Sequence, residues 1–136
     1  MKRWRLLVLA FVIALSSAVA LRSHIKSEAR EKRGVGYQSV LQAYAQSLKP
    51  GLPRKQVEKF LRAKGATYTQ MCCIEERSAF ADLVKVGEED HPWFCSENYV
   101  HVAFEFAATE PHHPWELNDT DVLKRIRIFH QFGGCL

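Results

Sequence analysis

The four cysteines carry the most assignable chemistry in this sequence. They are Cys72, Cys73, Cys95 and Cys135. A bridge between the adjacent Cys72 and Cys73 is strained, which leaves two pairings, and each of them joins one of these two residues to Cys95 and the other to Cys135. In a strand, Cys72 and Cys73 point to opposite faces, so one bridge should form more readily than the other. Each bridge would add about 2–4 kcal/mol, mainly by restricting the unfolded chain.

A thiol or metal site is the alternative use of these cysteines. Cys95 with His91 is the only local Cys/His pair. Zinc sites usually show Cys-x-x-Cys spacing, which is absent here. The sequence also lacks Gly-x-Ser-x-Gly, a Gly-rich phosphate loop and His-Glu-x-x-His. We therefore expect disulfides, no metal, no cofactor and no catalytic residue, and keep an enzyme that uses Cys95 and His91 as the less favoured hypothesis.

Two loops share the order His-Pro-Trp, at residues 91–93 and 113–115. Tryptophan dominates binding hot spots, so exposed Trp93 and Trp115, flanked by His91 and His113, would form a recognition rim for a protein partner. Loop tryptophans of small domains often pack back onto the edge of the core instead. We favour packed tryptophans. The four residues remain a candidate binding site, which requires the tryptophans to be exposed.

The N-terminus has the pattern of an export signal. Basic side chains precede an uncharged run from Leu6 to Ala20, which ends in small residues at 18 and 20. Residues 4–21 almost suffice to span a bilayer. We therefore predict that residues 1–21 are a signal peptide or an uncleaved anchor in the inner membrane. In both cases the rest of the chain is periplasmic or otherwise extracytoplasmic.

Charge argues against nucleic acid as a partner. Three of the 19 basic side chains lie before the apolar run, so 16 remain against 15 acidic ones. A nucleic-acid-binding protein keeps a basic stripe on its folded part. Residues 22–34 are polar and are predicted to form a solvated tether or a frayed helix. Residues 35–136 suffice for one domain, and nothing in them indicates a small-molecule substrate.

Two helices are predicted at the start of this domain. Apolar residues three and four apart mark a helix over 35–48, which Pro50-Gly51 ends. Pro53 suits the first turn of a second helix, and Gly65 suits its end. The charged side chains of this helix are expected to face water. They are Arg54, Lys55, Glu58, Lys59 and Arg62.

Four strands follow, at 66–74, 80–86, 98–107 and 122–132. The third, NYVHVAFEFA, alternates apolar and other residues over eight positions, which indicates a half-buried strand. Residues 110–121 contain two prolines and no periodicity, which indicates a loop. Helices followed by strands predict an α+β domain, in which two N-terminal helices pack on a four-stranded antiparallel sheet behind the N-terminal signal or membrane segment.

The stretch from Leu48 to Leu61, LKPGLPRKQVEKFL, resembles a motif of the SmpA/OmlA family of small envelope domains, the BamE-like domains. That motif is a short loop, a Gly, a hydrophobic residue, Ser/Thr-Arg-x-x-Val and a later Leu. Pro53 stands at the Ser/Thr position, and the lipobox cysteine of the family is absent. The resemblance implies two helices on an antiparallel sheet, a layout that also occurs in β-lactamase inhibitor protein repeats.

These observations lead to a functional hypothesis. We expect a non-catalytic binding or scaffolding module of the bacterial cell envelope, with a protein partner and no nucleic acid. The expected partner surface is a sheet edge together with the loops at 90–96 and 111–117. The alternative suggested by the layout is an inhibitor-like domain that acts on an envelope enzyme.

Overall fold

A computed structural model describes residues 2–72, 74, 80–109 and 116–136, with the side chains of the N-terminal helix described from residue 13 onward. In this part of the chain there are two helices and four strands. They are α1 (Lys2–Ser47), α2 (Arg54–Ala63), β1 (Thr69–Met71), β2 (Ala81–Glu88), β3 (Glu97–Ala107) and β4 (Val122–Gly133).

The strands form one antiparallel sheet in the order β1-β2-β3-β4. The predicted α+β class, with two helices and a four-stranded antiparallel sheet, is confirmed. The first strand is much shorter than predicted, with three residues that pair with residues 81–83 of β2. β3 and β4 form the long central hairpin, in which Glu97 pairs with Gly133 and Ala107 with Val122.

The first helix is longer than predicted. α1 runs without a break through residues 22–34, which were predicted to be a solvated tether or a frayed helix, so this segment is helical. Among the residues whose side chains are described, neither helix is both long enough and apolar enough to cross a membrane. Residues 4–12 of the predicted apolar segment lie outside that part of the chain. The chain divides into two compact units, one up to Gly36 and one from Tyr37 to Leu136.

The core of the second unit lies between the helices and one face of the sheet. Alternate residues of β3, which include Val102, Phe104 and Phe106, are fully buried there. Tyr44 of α1 meets the ring of Phe104 edge to face, with 5.2 Å between centroids. The helices add Leu48, Val57 and Leu61 to the same cluster. The apolar residues that alternate along the strand therefore pack against those that lie three and four apart in the helices, and together they form one apolar layer.

The opposite face of β3 is buried as well, so the predicted half-buried strand is wrong. His101, Ala103 and Glu105 are all buried. The carboxylate of Glu105 accepts hydrogen bonds from Arg125 and Arg127, two half-exposed residues of the neighbouring strand. These long side chains cover the charge that they neutralise, which explains how a carboxylate can be buried there.

The N-terminus of α2 is attached to the sheet through backbone groups. No side chain of the described residues caps this helix. Instead the N–H of Arg54 donates to the carbonyl of Asp121 at 2.7 Å, and the N–H of Lys55 donates to that of Asp119 at 3.2 Å. Pro53 forms an isolated antiparallel bridge with Val122. Donors that a helix end leaves unsatisfied are therefore paired with the segment that leads into β4.

Arg54 is buried, which corrects the prediction that it faces water. Its side chain is 1% exposed. The guanidinium donates to the carboxylates of Asp82 on β2 and Glu58 on its own helix, and lies 4.7 Å from the ring centre of Phe106. Helical periodicity places residue 54 three positions before Val57, on the apolar face. The charged side chain can be buried there because two carboxylates and an aromatic ring replace the water that would otherwise solvate it.

Two carboxyl groups beside Arg54 respond differently to burial. Burial raises the pKa of Asp82 to about 6, although the charge of Arg54 opposes this shift. The pKa of Glu58 is lowered, because hydrogen bonds from Tyr68, Arg62 and Arg54 together outweigh the effect of its own partial burial. Arg54 therefore keeps an ionised partner in Glu58 when Asp82 takes up a proton.

Replacing Arg54 should destabilise the domain strongly. In Arg54→Leu, the buried Asp82 and the partly buried Glu58 lose their shared cation, and we expect the free energy of unfolding to fall by about 3–5 kcal/mol. Arg62→Leu is the matched control, since Arg62 also binds Glu58 from the same helix but is 57% exposed. It should cost less than about 1 kcal/mol. Urea unfolding followed by circular dichroism measures both values, and equal losses would contradict the assigned role of Arg54.

Stability should also depend on pH through Asp82. A carboxyl whose pKa is raised in the folded state binds a proton that the unfolded state releases. Its contribution to stability is therefore present below pH 4 and is lost as the pH rises to about 6. Asp82→Asn should remove this dependence, so the free energy of unfolding of the variant, relative to the original protein, should rise between pH 4.5 and pH 7. The exposed Asp119→Asn serves as control, and a relative fall for Asp82→Asn would overturn the prediction.

Candidate functional site

The loop between β2 and β3 is held close to the sheet by its own backbone. Glu89 donates its N–H to the carbonyl of Asn98 at 3.0 Å, and the side-chain amide of Asn98 donates back to the carbonyl of Asp90 at 2.9 Å. The N–H of Cys95 donates to the carbonyl of Pro92 at 3.0 Å, which closes a tight turn. Trp93 and Phe94 occupy the two positions inside this turn.

A disulfide joins this loop to the end of the chain. Cys95 and Cys135 are bonded, and they are 40 residues apart in sequence. Both predicted pairings are therefore wrong, because each joined Cys95 and Cys135 to different partners. The register of the hairpin explains the result: Glu97 pairs with Gly133, so the residues two positions beyond each of them come together at the same end of the sheet.

The remaining two cysteines are described only in part. Cys72 is disulfide-bonded. Cys73 lies outside the described residues. Every cysteine that the structure describes is therefore oxidised, as the sequence led us to expect.

Backbone hydrogen bonds reinforce the disulfide on both sides. Leu136 donates its N–H to the carbonyl of Phe94 at 2.9 Å, and Ser96 donates its N–H to the carbonyl of Gly133 at 3.1 Å. The loop and the last residues of the chain therefore form one structure. Neither can move far without breaking a covalent bond and several hydrogen bonds.

An exposed apolar surface lies at this end of the sheet, and we call it the exposed tip. Trp93 is 90% exposed, Phe132 50% and Phe94 42%, and Leu136 is fully exposed. The rings of Trp93 and Phe94 meet edge to face, with 5.8 Å between centroids. The favoured expectation that Trp93 packs back onto the core is therefore wrong, and the arrangement that the candidate binding site required is present at this residue.

The other residues of the candidate site differ in how far the structure describes them. His91 is exposed, and its Nδ1 lies 3.1 Å from the carbonyl oxygen of Pro92. Trp115 and His113, and most of the loop at 111–117, lie outside the described residues. Sequence reasoning missed Phe94, Phe132 and Leu136. The pairing of Cys95 with Cys135 would have drawn attention to Phe94 and Leu136, because it brings these two residues together.

The hypothesis of a thiol enzyme requires Cys95 as a free nucleophile. Cys95 is held in a disulfide, so the simple form of that mechanism, in which its thiolate acts beside His91, is excluded. Within the described residues, no three His, Cys, Asp or Glu side chains are grouped in a way that would hold a metal ion.

A cleft of about 970 Å³ lies beside residues 84–86 of β2, which follow the part of this strand that pairs with β1. Its described lining includes Lys85, Tyr99 and His101 and contains no carboxylate or thiol. The ammonium of Lys85 sits 3.8 Å from the ring centre of Tyr99 and binds Glu88. Burial, together with the charge of Lys85, lowers the pKa of His101 and so favours the neutral imidazole. The ring of Tyr99 meets the imidazole of His101 edge to face, with 6.4 Å between the ring centroids.

Comparison with family models, with curated proteins and with solved structures finds no match to the chain. The resemblance to BamE-like domains remains a prediction from the stretch Leu48 to Leu61.

Removing the disulfide should destabilise the domain and loosen the tip. Cross-linking residues 40 apart restricts the unfolded chain, so Cys95→Ser with Cys135→Ser should lower the free energy of unfolding by about 2–4 kcal/mol. Amide hydrogen exchange should rise selectively over residues 91–96 and 133–136. Ser96→Ala, which removes only a long side-chain hydrogen bond in the same place, is the control. An unchanged exchange rate in the loop would show that its backbone hydrogen bonds suffice.

Proposed function

We propose that this protein is a non-catalytic binding module of the bacterial cell envelope, and that a partner protein docks on the exposed tip. The single observation that carries the proposal is a tryptophan that is 90% exposed on a loop fixed by a disulfide. Large exposed aromatic side chains mark interaction sites when they lie together, and here Phe94, Phe132 and Leu136 lie at the same end of the sheet.

The rigidity of the loop favours binding. Association loses free energy when mobile loops and side chains become ordered at the interface. The turn at 92–95 and the bond between Cys95 and Cys135 have already ordered this loop in the free protein. A Trp side chain has only two rotatable angles and covers a large apolar area, so little further ordering is needed when Trp93 enters a pocket on a partner.

Two features of the chain support an extracytoplasmic location for the domain. The N-terminal pattern of basic residues, an apolar run and small residues supports export. A disulfide between Cys95 and Cys135 supports an oxidising compartment, because such bonds persist in the periplasm and outside the cell and are rare in the cytosol. We therefore place the domain on the extracytoplasmic side, attached through residues 4–21 if that segment is not removed.

Site-specific photo-cross-linking in cells that produce the full chain tests the proposal. A photoreactive phenylalanine at position 93 should yield one discrete cross-linked protein. The same group at position 59 of α2, an exposed lysine far from the tip, should not. With the photoreactive group placed at position 94, Trp93→Ala should reduce the cross-link at least tenfold, since hot-spot tryptophans contribute 2 kcal/mol or more.

Two results would count against this function. Equal cross-linking from positions 93 and 59 would show that the tip is not a specific surface. An undiminished cross-link in Trp93→Ala would show that the partner does not use the tryptophan. If the captured protein is an enzyme whose activity falls when the purified domain is added, the module is of the inhibitor-like kind.

A further inference from the structure

The outer edge of β4 is open over most of its length. β4 is the last strand in the sheet. At its start the outer side is occupied, because Leu123 donates its N–H to Leu52 and accepts at its carbonyl from Gly51, both at 2.8 Å. From Ile126 to Phe132 no backbone pairing on this side is found among the described residues. We call these seven residues the open edge.

The direction of the backbone groups along the open edge follows from the neighbouring strand. Asn98 uses its carbonyl on the β2 side, where it accepts from Glu89. In an antiparallel sheet, successive residues turn their backbone groups to opposite sides, so the odd residues of β3 bond to β4 and are paired with odd residues of β4. The even residues of the open edge therefore direct their N–H and C=O groups outward. They are Ile126, Ile128, His130 and Phe132.

In the part of the chain that the structure describes, the open edge is not protected in the usual way. Natural edge strands avoid pairing with other chains by means of charges, prolines, bulges or a cover. The open edge contains no proline, and the bulge of β4 lies before it, near Glu105 and Phe106 of the partner strand. Its only charged side chain, Arg127, is bound to Glu105. Phe132 is half-exposed, and Ile126, Ile128 and Phe129 are only partly buried.

We propose that the open edge pairs with the open edge of a second copy of this chain, antiparallel and centred on Phe129. This register joins the two four-stranded sheets into one sheet of eight strands. It places Phe129 opposite its own copy, Ile126 opposite Phe132, Arg127 opposite Gln131 and Ile128 opposite His130. This interface shares Phe132 with the exposed tip but does not involve the loop that carries Trp93, and the proposal does not depend on the proposed function.

The charges and the length of the edge select this register. Centring on Arg127 would place two guanidinium groups opposite each other, and centring on Ile126 would place Arg125 opposite Arg127, which like charges disfavour. Centring on Phe129 uses all seven residues, so the four outward-facing residues of each copy form about eight backbone hydrogen bonds. It also covers the half-exposed ring of Phe132 with an isoleucine, and it brings the two Phe129 side chains together at a closely spaced pair.

Cysteine cross-linking of the full chain in cells tests the register. In Phe129→Cys the two introduced thiols face each other across a non-hydrogen-bonded pair, where side chains lie closest, so a disulfide-linked species of twice the monomer mass should form. In the control Gln131→Cys the two copies are offset by four residues, roughly 13 Å along the strand, which a disulfide cannot span. Reduction should return the dimer to the monomer.

A pair of charge variants tests the same contact without touching the apolar residues. Gln131 is opposite Arg127 of the second copy, so Gln131→Glu should tighten self-association and Gln131→Arg should weaken it, each by about threefold or more in the dimer dissociation constant. Analytical ultracentrifugation of the detergent-solubilised full chain measures both. This test remains available if Phe129→Cys fails to fold.

The outcomes separate cleanly. Cross-linking of Phe129→Cys but not of Gln131→Cys, with opposite shifts for the two charge variants, supports the proposal. Equal cross-linking of the two cysteine variants, none from either, or identical association of the two charge variants overturns it. A cross-link from position 129 to a different protein would mean that the edge receives another chain, and the self-pairing would be wrong. Loss of the Trp93 cross-link would leave all of these results unchanged.

Discussion

The burial of one arginine determines how this domain is assembled. Arg54 reaches from the first turn of α2 across the apolar layer to Asp82 on β2, and its guanidinium lies against Phe106 of β3. A charge in this position is tolerable only while its partners are in place. The helix, the second strand and the third strand must therefore take up one arrangement together, because a displacement of any of them would leave a buried charge uncompensated.

The same end of α2 also sets the position of β4. Its first two N–H groups are paired with the carbonyls of Asp121 and Asp119, directly before that strand begins. Leu123 then pairs with Gly51 and Leu52, so the chain that enters the helix lies along the start of the strand. Beyond that point, among the described residues, β4 has a neighbour on one side only. The hydrogen bonds of Leu123 with Gly51 and Leu52 thus fix one end of the strand, and the open edge starts after them.

The sequence predicted the architecture well because the apolar periodicities are strong. The alternation in NYVHVAFEFA and the spacing of Val57 and Leu61 predicted β3 and α2 to within a few residues, whereas the first strand was predicted too long and the first helix too short. It did not predict which charged residues would be buried. Arg54 and Glu105 look like solvated positions, and only the contacts between distant segments, at Asp82 and at Arg125 and Arg127, show why they are not.

The candidate site was predicted only in part for a related reason. His-Pro-Trp marked Trp93 as a residue of interest, but the loop that presents it is joined to the segment after β4 by the bond of Cys95 to Cys135, which the motif does not reveal. That pairing could not be derived from the cysteine positions, because it follows from the register of two strands. Phe132 and Leu136 escaped attention because each is unremarkable until the hairpin places it beside the loop.

The bond between Cys95 and Cys135 also determines how the domain would respond to mechanical load. If the chain is held at its N-terminal helix and pulled from Leu136, tension enters at Cys135 and crosses directly to Cys95. The backbone of the β3–β4 hairpin, residues 97–133, is then bypassed by the covalent path, and the hairpin is loaded only through its contacts with the rest of the domain. The load falls on the pairing of β2 with its neighbours, so β2 would peel away first while the hairpin that carries the tip stays folded.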